Sequence, residues 1–389
     1  MARLTGTDPS LLRRINSTVV LRVLRSEVGR PPRTLTDLVR ATELSRPTVE
    51  GVVEGLIEAG LVAEAEEAPG DAASAARRGR PARRFRFRAE AGYALGVEIG
   101  SRRIAAVLSD LTGRFTGTIT RDADEKAGAE ERLEQTQETV SELLRTSGVR
   151  CEALRAVGVG TPGIVEADGT VRLSTALPGW SGLTLGSRLR RSFRCPVLVE
   201  NDANAGVVAE RWQGAATGAE DVVMVLVGLS PGAGSLIGGR LHRGFGGAAG
   251  EIGALHLLGR EATPEHLLST TGEPLHPLDE PAVARVFALA RGGDEQAGRA
   301  MERFVQRLVH DVAALVLALD PELVVIGGWA SGLDDVLEPL RSELERYCLR
   351  PPRVALSVLG ESAAATGALR LALDRVESEL FSVEGADRA

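Results

Sequence analysis

One order of elements occurs twice along the chain, and it restricts the fold more than any other feature. "YALGVEIG", "RIAAVLSD" and "FTGTIT" read as three short strands, with the turn "DLTG" between the last two; a helix around Leu133 to Leu144 and the strand "LRAVGVG" follow. Strands that first run antiparallel and then cross over through a helix build an α/β layer. "DVVMVLV", the long helix around Met301 to Leu319 and "ELVVIGG" return in a similar order. The repeat predicts two related α/β lobes with a cleft between them. The glycine-rich "VGLSPGAGSLIGG", Val227 to Gly239, follows the first strand of the second copy. Such turns often expose backbone N–H groups to phosphate, so the loop raises the question of ATP.

At 389 residues the chain is long enough for two or three units, each with a core. With 43% hydrophobic, 25% charged and 3% aromatic residues it reads as an ordinary soluble α/β protein poor in aromatic anchors. No run approaches the roughly 18 apolar residues of a membrane span, and the N-terminus lacks an apolar leader core. Cytoplasmic residence without a membrane partner is the expectation. Cys151, Cys195 and Cys348 lie far apart without CxxC pairing, which suits buried small hydrophobes better than metal ligands. Charge is divided unevenly: residues 1–90 carry 16 Lys+Arg against 12 Asp+Glu, and the remainder carries 30 against 41. A basic head on an acidic body directs a polyanion to the head.

The head has a helical pattern of its own. Asp8 and Pro9 can start a helix in which Leu12, Ile15, Val19, Val20, Val23 and Leu24 recur at helical spacing. Thr34 can cap a second, short helix, and "ATEL" turns tightly into Ser45, the expected N-cap of a third. Val49, Val52, Val53, Leu56 and Ile57 give that third helix one apolar face, and Gly60 stops it. This is the order of a winged helix-turn-helix over residues 1–63, followed by a basic wing and linker over 64–90. The first turn of the third helix then places Ser45, Arg46, Thr48, Glu50 and Gly51 nearest base edges. "ARRGRPARRFRFR" adds seven arginines from Arg77 to Arg88, among them Arg77, Arg78, Arg80 and Arg83, and "RGRP" is similar to an AT-hook core that enters a narrow minor groove. A plain three-helix bundle with a solvated face is the alternative, and Glu50, Glu54 and Glu58 speak for it. The joint charge and motif pattern favours double-stranded DNA.

Five further stretches, "GVGTPGIVEADGTVRLSTALPGW", "VENDANAGVVAE", "GGRLHRGFGGAAGEIG", "PELVVIGG" and "SAAATGALRLAL", carry a resemblance. In this order they resemble the ROK (repressor, open reading frame, kinase) family, which joins sugar kinases to sugar-responsive repressors on an actin-like ATPase fold. The resemblance implies an α/β, two-lobed sugar kinase-like body over residues 91–389 that serves for effector binding and dimerisation. It implies that Asp202 stands where the kinases keep their base, with Asn201 beside it, and that Glu251 stands where a glutamate holds the ring hydroxyls of a sugar. Capping of the following helix by Asn201 and Asp202 is an alternative use of those side chains.

Departures from the family pattern are as informative. Ala254 replaces a histidine that is both zinc ligand and sugar contact, and the cysteine-free "REATPEHLLSTTGE" replaces a thiolate cluster. His256, His266 and His276 alone do not form the usual structural zinc set, so no metal is expected. Glu273 lies near a second sugar-facing glutamate of the family in uncertain register, and Ala176 replaces an asparagine. Leu229 and Pro231 alter the phosphate loop, and Glu98 stands for the aspartate of the DxGxT motif, with Arg102 and Arg103 crowding its turn. Asp202 is then a vestigial base and no cofactor is expected. The expected function is that of a DNA-binding regulator, most readily a repressor of carbohydrate-related genes controlled by a sugar or sugar derivative, acting as a homodimer or dimer of dimers. A sugar kinase with a DNA-binding head, and a regulator using its body only as a dimerisation scaffold, are the rivals.

Overall fold

The structure is a computed structural model that describes residues 9–65, 82–227, 231–253, 268–271, 273, 280–328 and 336–381. The chain divides into two compact units. One comprises Met1–Ala94, Ser109–Thr116 and Leu373–Ala389; the other comprises Leu95–Leu108 and Gly117–Ala372.

The first unit begins with α1 (Pro9–Ser26), β1 (Arg33–Thr34), α2 (Leu35–Thr42) and α3 (Arg46–Glu58), and ends in the ribbon β2 (Val62–Ala65) and β3 (Arg84–Phe87). Thr34 and Asp37 form a reciprocal capping box that starts α2. Glu43 takes a left-handed conformation at φ 56°, which turns the chain into Ser45, and the Ser45 hydroxyl accepts from the Thr48 N–H at 3.4 Å. Val49, Val52, Val53 and Leu56 of α3 are buried, whereas Ile57 is half-buried. In α1 the buried positions are Thr18, Val20, Leu21 and Leu24, while Leu12 is 47% exposed, so the apolar stripe starts later than its spacing suggests. The strands order as β1-β3-β2, all antiparallel. β1 is two residues long and offers no period to read; its pairing of Thr34 with Arg84 adds it to the ribbon.

The second unit carries the repeat. Its first sheet orders β10-β7-β4-β5-β6, from β4 (Tyr93–Ile99), β5 (Arg103–Asp110), β6 (Phe115–Asp122), β7 (Leu154–Thr161) and β10 (Val197–Asn201). Its second orders β13-β12-β11-β14-β15, from β11 (Val222–Val227), β12 (Gly232–Ile237), β13 (Arg240–Leu241), β14 (Leu323–Gly328) and β15 (Arg353–Leu356). Read from β6 in the first sheet and from β13 in the second, each places its third, second, first, fourth and fifth strands in that order. β11–β12 and β12–β13 are antiparallel, and β11–β14, β14–β15 and β7–β10 are parallel, as crossover through helices requires. A small ribbon of β8 (Ile164–Val165) and β9 (Val171–Leu173) follows β7.

Helices cover the sheets: α4 (Ala129–Thr146), the short α5 (Leu185–Arg190), α6 (Asp202–Gln213), α7 (Glu280–Arg291), α8 (Glu295–Leu319), α9 (Leu337–Tyr347) and α10 (Ala363–Phe381). α8 feeds Phe304, Leu308, Val312 and Val316 into the core behind β11 and β14. α10 enters with small residues because the backbone there comes close. A Cβ on Gly158 of β7 would lie 1.9 Å from the Ala368 carbonyl oxygen, and one on Gly367 would lie 1.7 Å from that of Ala205 in α6. Among the three cysteines, Cys348 is buried, but Cys151 and Cys195 are only half-buried. Desolvation raises all three thiols, Cys195 to about 11. They are poor thiolates, as the absence of pairing motifs implies. Among the described residues no helix is long and apolar enough to cross a membrane.

Candidate functional site

Asn201 and Asp202 sit where β10 passes into α6. The Asn201 Oδ1 accepts from the Asn204 N–H at 3.1 Å, and its Nδ2 donates to the Gly163 carbonyl at 3.1 Å. Capping therefore takes up much of this amide, as the alternative reading of Asn201 foresaw. Asp202 differs. Its Oδ1 accepts from the Ala203 N–H at 2.9 Å, and burial holds the carboxyl above the usual aspartate range. Glu251 follows the "GFGGAAG" loop, and its carboxyl is raised first by burial and then by the charge of Asp202. The structure thus groups Asp202 and Glu251 electrostatically. Glu273 is exposed, with its N–H 3.4 Å from the Thr271 hydroxyl.

Glu98, at the end of β4, is the third carboxyl of this group. Burial pushes it up to about 7 against the opposing pull of Arg103, and Asp202 adds to the rise. Arg103 lies on the adjacent strand and donates to Glu98 Oε1 from Nη2 at 3.2 Å and from Nε at 3.3 Å. The same guanidinium donates to the Glu361 carbonyl at 2.6 Å and meets the Glu361 carboxylate at 2.5 Å. Crowding of this turn by arginine was legible; which arginine closes on Glu98 was not, because Arg102 turns to Glu125 instead at 3.4 Å. Pro231 opens β12, and its carbonyl accepts from the Gly253 N–H at 2.8 Å. Leu229, Ser230, Ala254, His256, His266 and His276 lie outside the described residues. Among those described, no His, Cys, Asp and Glu cluster could hold a metal.

In the first unit, Ser45, Arg46, Glu50 and Gly51 are exposed, and Thr48 is half-buried with its hydroxyl 2.8 Å from that of Ser45. Glu54 and Glu58 are exposed as well, so only the first turn of α3 offers a cation. Arg83 pairs with Glu64 across the ribbon at 3.0 Å and stacks over Phe85 at 5.2 Å. Arg77, Arg78 and Arg80 lie outside the described residues.

Comparison with known proteins gives the family. The family model described as "ROK family" matches residues 94–375. A xylose repressor of Caldicellulosiruptor bescii is 26% identical over 87% of this chain and 89% of its own length. A glucokinase of Thermotoga maritima is 27% identical over 72% of this chain and 98% of its own. Among solved structures, a ROK family transcriptional regulator described as a homolog of the E. coli MLC protein covers 96% of this chain and all of its own, at a TM-score of 0.67 and 20% identity. A Streptomyces griseus ROK glucokinase in complex with glucose and AMPPNP covers 73% of this chain and all of its own, at 0.59 and 26%. The chain belongs to the ROK family.

Proposed function

We propose that the chain is a DNA-binding transcription regulator, a repressor of carbohydrate-related genes, whose ROK body binds a sugar or sugar derivative without phosphorylating it. The observation that carries the reading is the Glu98–Arg103–Glu361 clamp. In the family's kinases this carboxylate position handles the Mg²⁺ of ATP, and a guanidinium bonded to it competes directly with a cation. The region before the family match supports the other half of the reading, since α1, α2, α3 and the ribbon form a unit with the first turn of α3 exposed. A xylose repressor among the relatives aligns over 87% of this chain and 89% of its own length. The proposed partner is an operator duplex, bound in the cytoplasm by a homodimer or dimer of dimers, with no cofactor.

One observation favours the kinase reading: burial raises the Asp202 carboxyl above its ordinary value, the direction a base working near neutral pH needs. A coupled assay with ATP, Mg²⁺ and glucose, N-acetylglucosamine or xylose decides between them. The expected result is no phosphorylation, alongside nanomolar binding to a duplex from the chain's own upstream region. Turnover that vanishes in Asp202→Asn overturns the proposal.

A further inference from the structure

The β9–α5 connection, the β4–β5 turn and the segment before α4 enclose a groove of about 580 Å³. Ser174, Ser181, Ser101, Glu125 and Lys126 line it. It joins the carboxylate site through a short chain of bonds. Trp180 Nε1 donates to the Thr161 hydroxyl at 2.9 Å, and Thr161 pairs in register with Asn201.

Three observations suit this groove to an anion. Ser174 is 92% buried, as its 8% exposure states, yet its hydroxyl has no hydrogen-bond partner. Its own backbone is satisfied by Ser181, which leaves the hydroxyl as an unused donor. Beneath the groove, fully buried Arg132 of α4 donates to the carbonyls of Gly100 at 2.7 Å, Ser101 at 3.1 Å and Asp124 at 2.6 Å. No carboxylate forms an ion pair with it among the described residues, and its Nε is unpartnered. Burial weighs more on this guanidinium than the nearby charges of Asp124 and Glu131 relieve. Finally, Lys126 is exposed at the rim without an ion pair among the described residues, whereas Glu125 beside it is met by Arg102. Lys126 is also the single lysine among 46 basic residues. An ammonium is a compact point charge that suits a phosphate or carboxylate oxygen approaching from solvent.

We propose that this groove recognises the anionic group of the effector, a phosphate or a carboxylate carried on a polyol, with Lys126 as ion partner and the Ser174 hydroxyl as donor. The inference rests on the reading that the ROK body binds an effector. Isothermal titration of the full chain with glucose, glucose 6-phosphate, glucuronate and inorganic phosphate tests it. A charged sugar is expected to bind at least about tenfold more tightly than glucose, the size of one charge-assisted bond. The phosphate and carboxylate arms identify the anion. Lys126→Gln is expected to remove that preference and leave glucose unchanged. Ser174→Ala is expected to weaken the charged sugar roughly fivefold without lowering the melting temperature, because it deletes an unsatisfied buried hydroxyl. A purely structural serine would leave affinity unmoved. Equal binding of glucose and its charged derivatives, indifference to Lys126→Gln, or inorganic phosphate binding as tightly as the sugar phosphate overturns the groove assignment alone. No binding by any sugar overturns the effector reading with it.

Discussion

Glu98 shows how one side chain records both ancestry and change. By the family resemblance its position at the end of β4 corresponds to a carboxyl of the kinases, but Arg103 and burial decide its state. The ordinary value of 4.5 rises to about 7 on folding, so between those values the folded chain holds a proton that the unfolded chain has released. Stability from this group therefore falls as pH climbs through that window and levels off above it. Glu98→Gln removes the effect. Urea midpoints at pH 5 and pH 8 are expected to change less favourably with rising pH in the wild type than in the variant; equal changes would show that Glu98 does not titrate there. The acidic groups held low elsewhere, such as Asp37 in its capping box, are common to both proteins and cancel.

Among the elements, α10 shows a contest between propensity and packing. Replacing a helical glycine with alanine usually stabilises by about 1 kcal/mol. At Gly367 a new Cβ would meet the Ala205 backbone at 1.7 Å, and backbone cannot swing away as a flexible side chain would. Overpacking of this kind costs about 1–3 kcal/mol or more. Gly367→Ala is thus expected to lower the thermal midpoint by several degrees, and a rise would mean that α10 packs more loosely than described. In the sequence, "SAAATGALRLAL" stood out only as one of the stretches that carry the family resemblance. Its small residues acquire a reason only from the neighbours, β7 and α6, which approach from distant parts of the chain.

For the molecule as a whole, the family match over residues 94–375 and the charge division separate a basic head from an acidic body. Under the proposed function, base-reading and phosphate-binding arginines should fail differently. Arg46→Ala is expected to cost about 1–3 kcal/mol on the cognate duplex and relax preference at one base pair, with little change on scrambled DNA. Arg78→Ala with Arg80→Ala is expected to weaken both duplexes and flatten the salt dependence by up to about 0.9 log unit for each phosphate no longer neutralised. Salt titrations by fluorescence anisotropy separate the two. If Arg46→Ala changes neither affinity nor base preference, α3 is not the reader, and the acidic run of Glu50, Glu54 and Glu58 marks a face turned from DNA.

The repeated strand order and the caps at Thr34 and Ser45 were legible in the sequence. Local rules govern them: period, capping chemistry and motif spacing act over a few residues. The family resemblance carried the rest of that reading. Tertiary structure alone decided that the Asn201 amide also reaches Gly163, and that Arg103 rather than Arg102 closes on Glu98. It also decided that Lys126 and Ser174 line one groove, and that β1 adds to the ribbon. These outcomes depend on which groups share a low-dielectric neighbourhood after the chain has crossed over through its helices. A charge or hydroxyl has the same letter in the sequence whether it is paired, exposed or left waiting for a ligand.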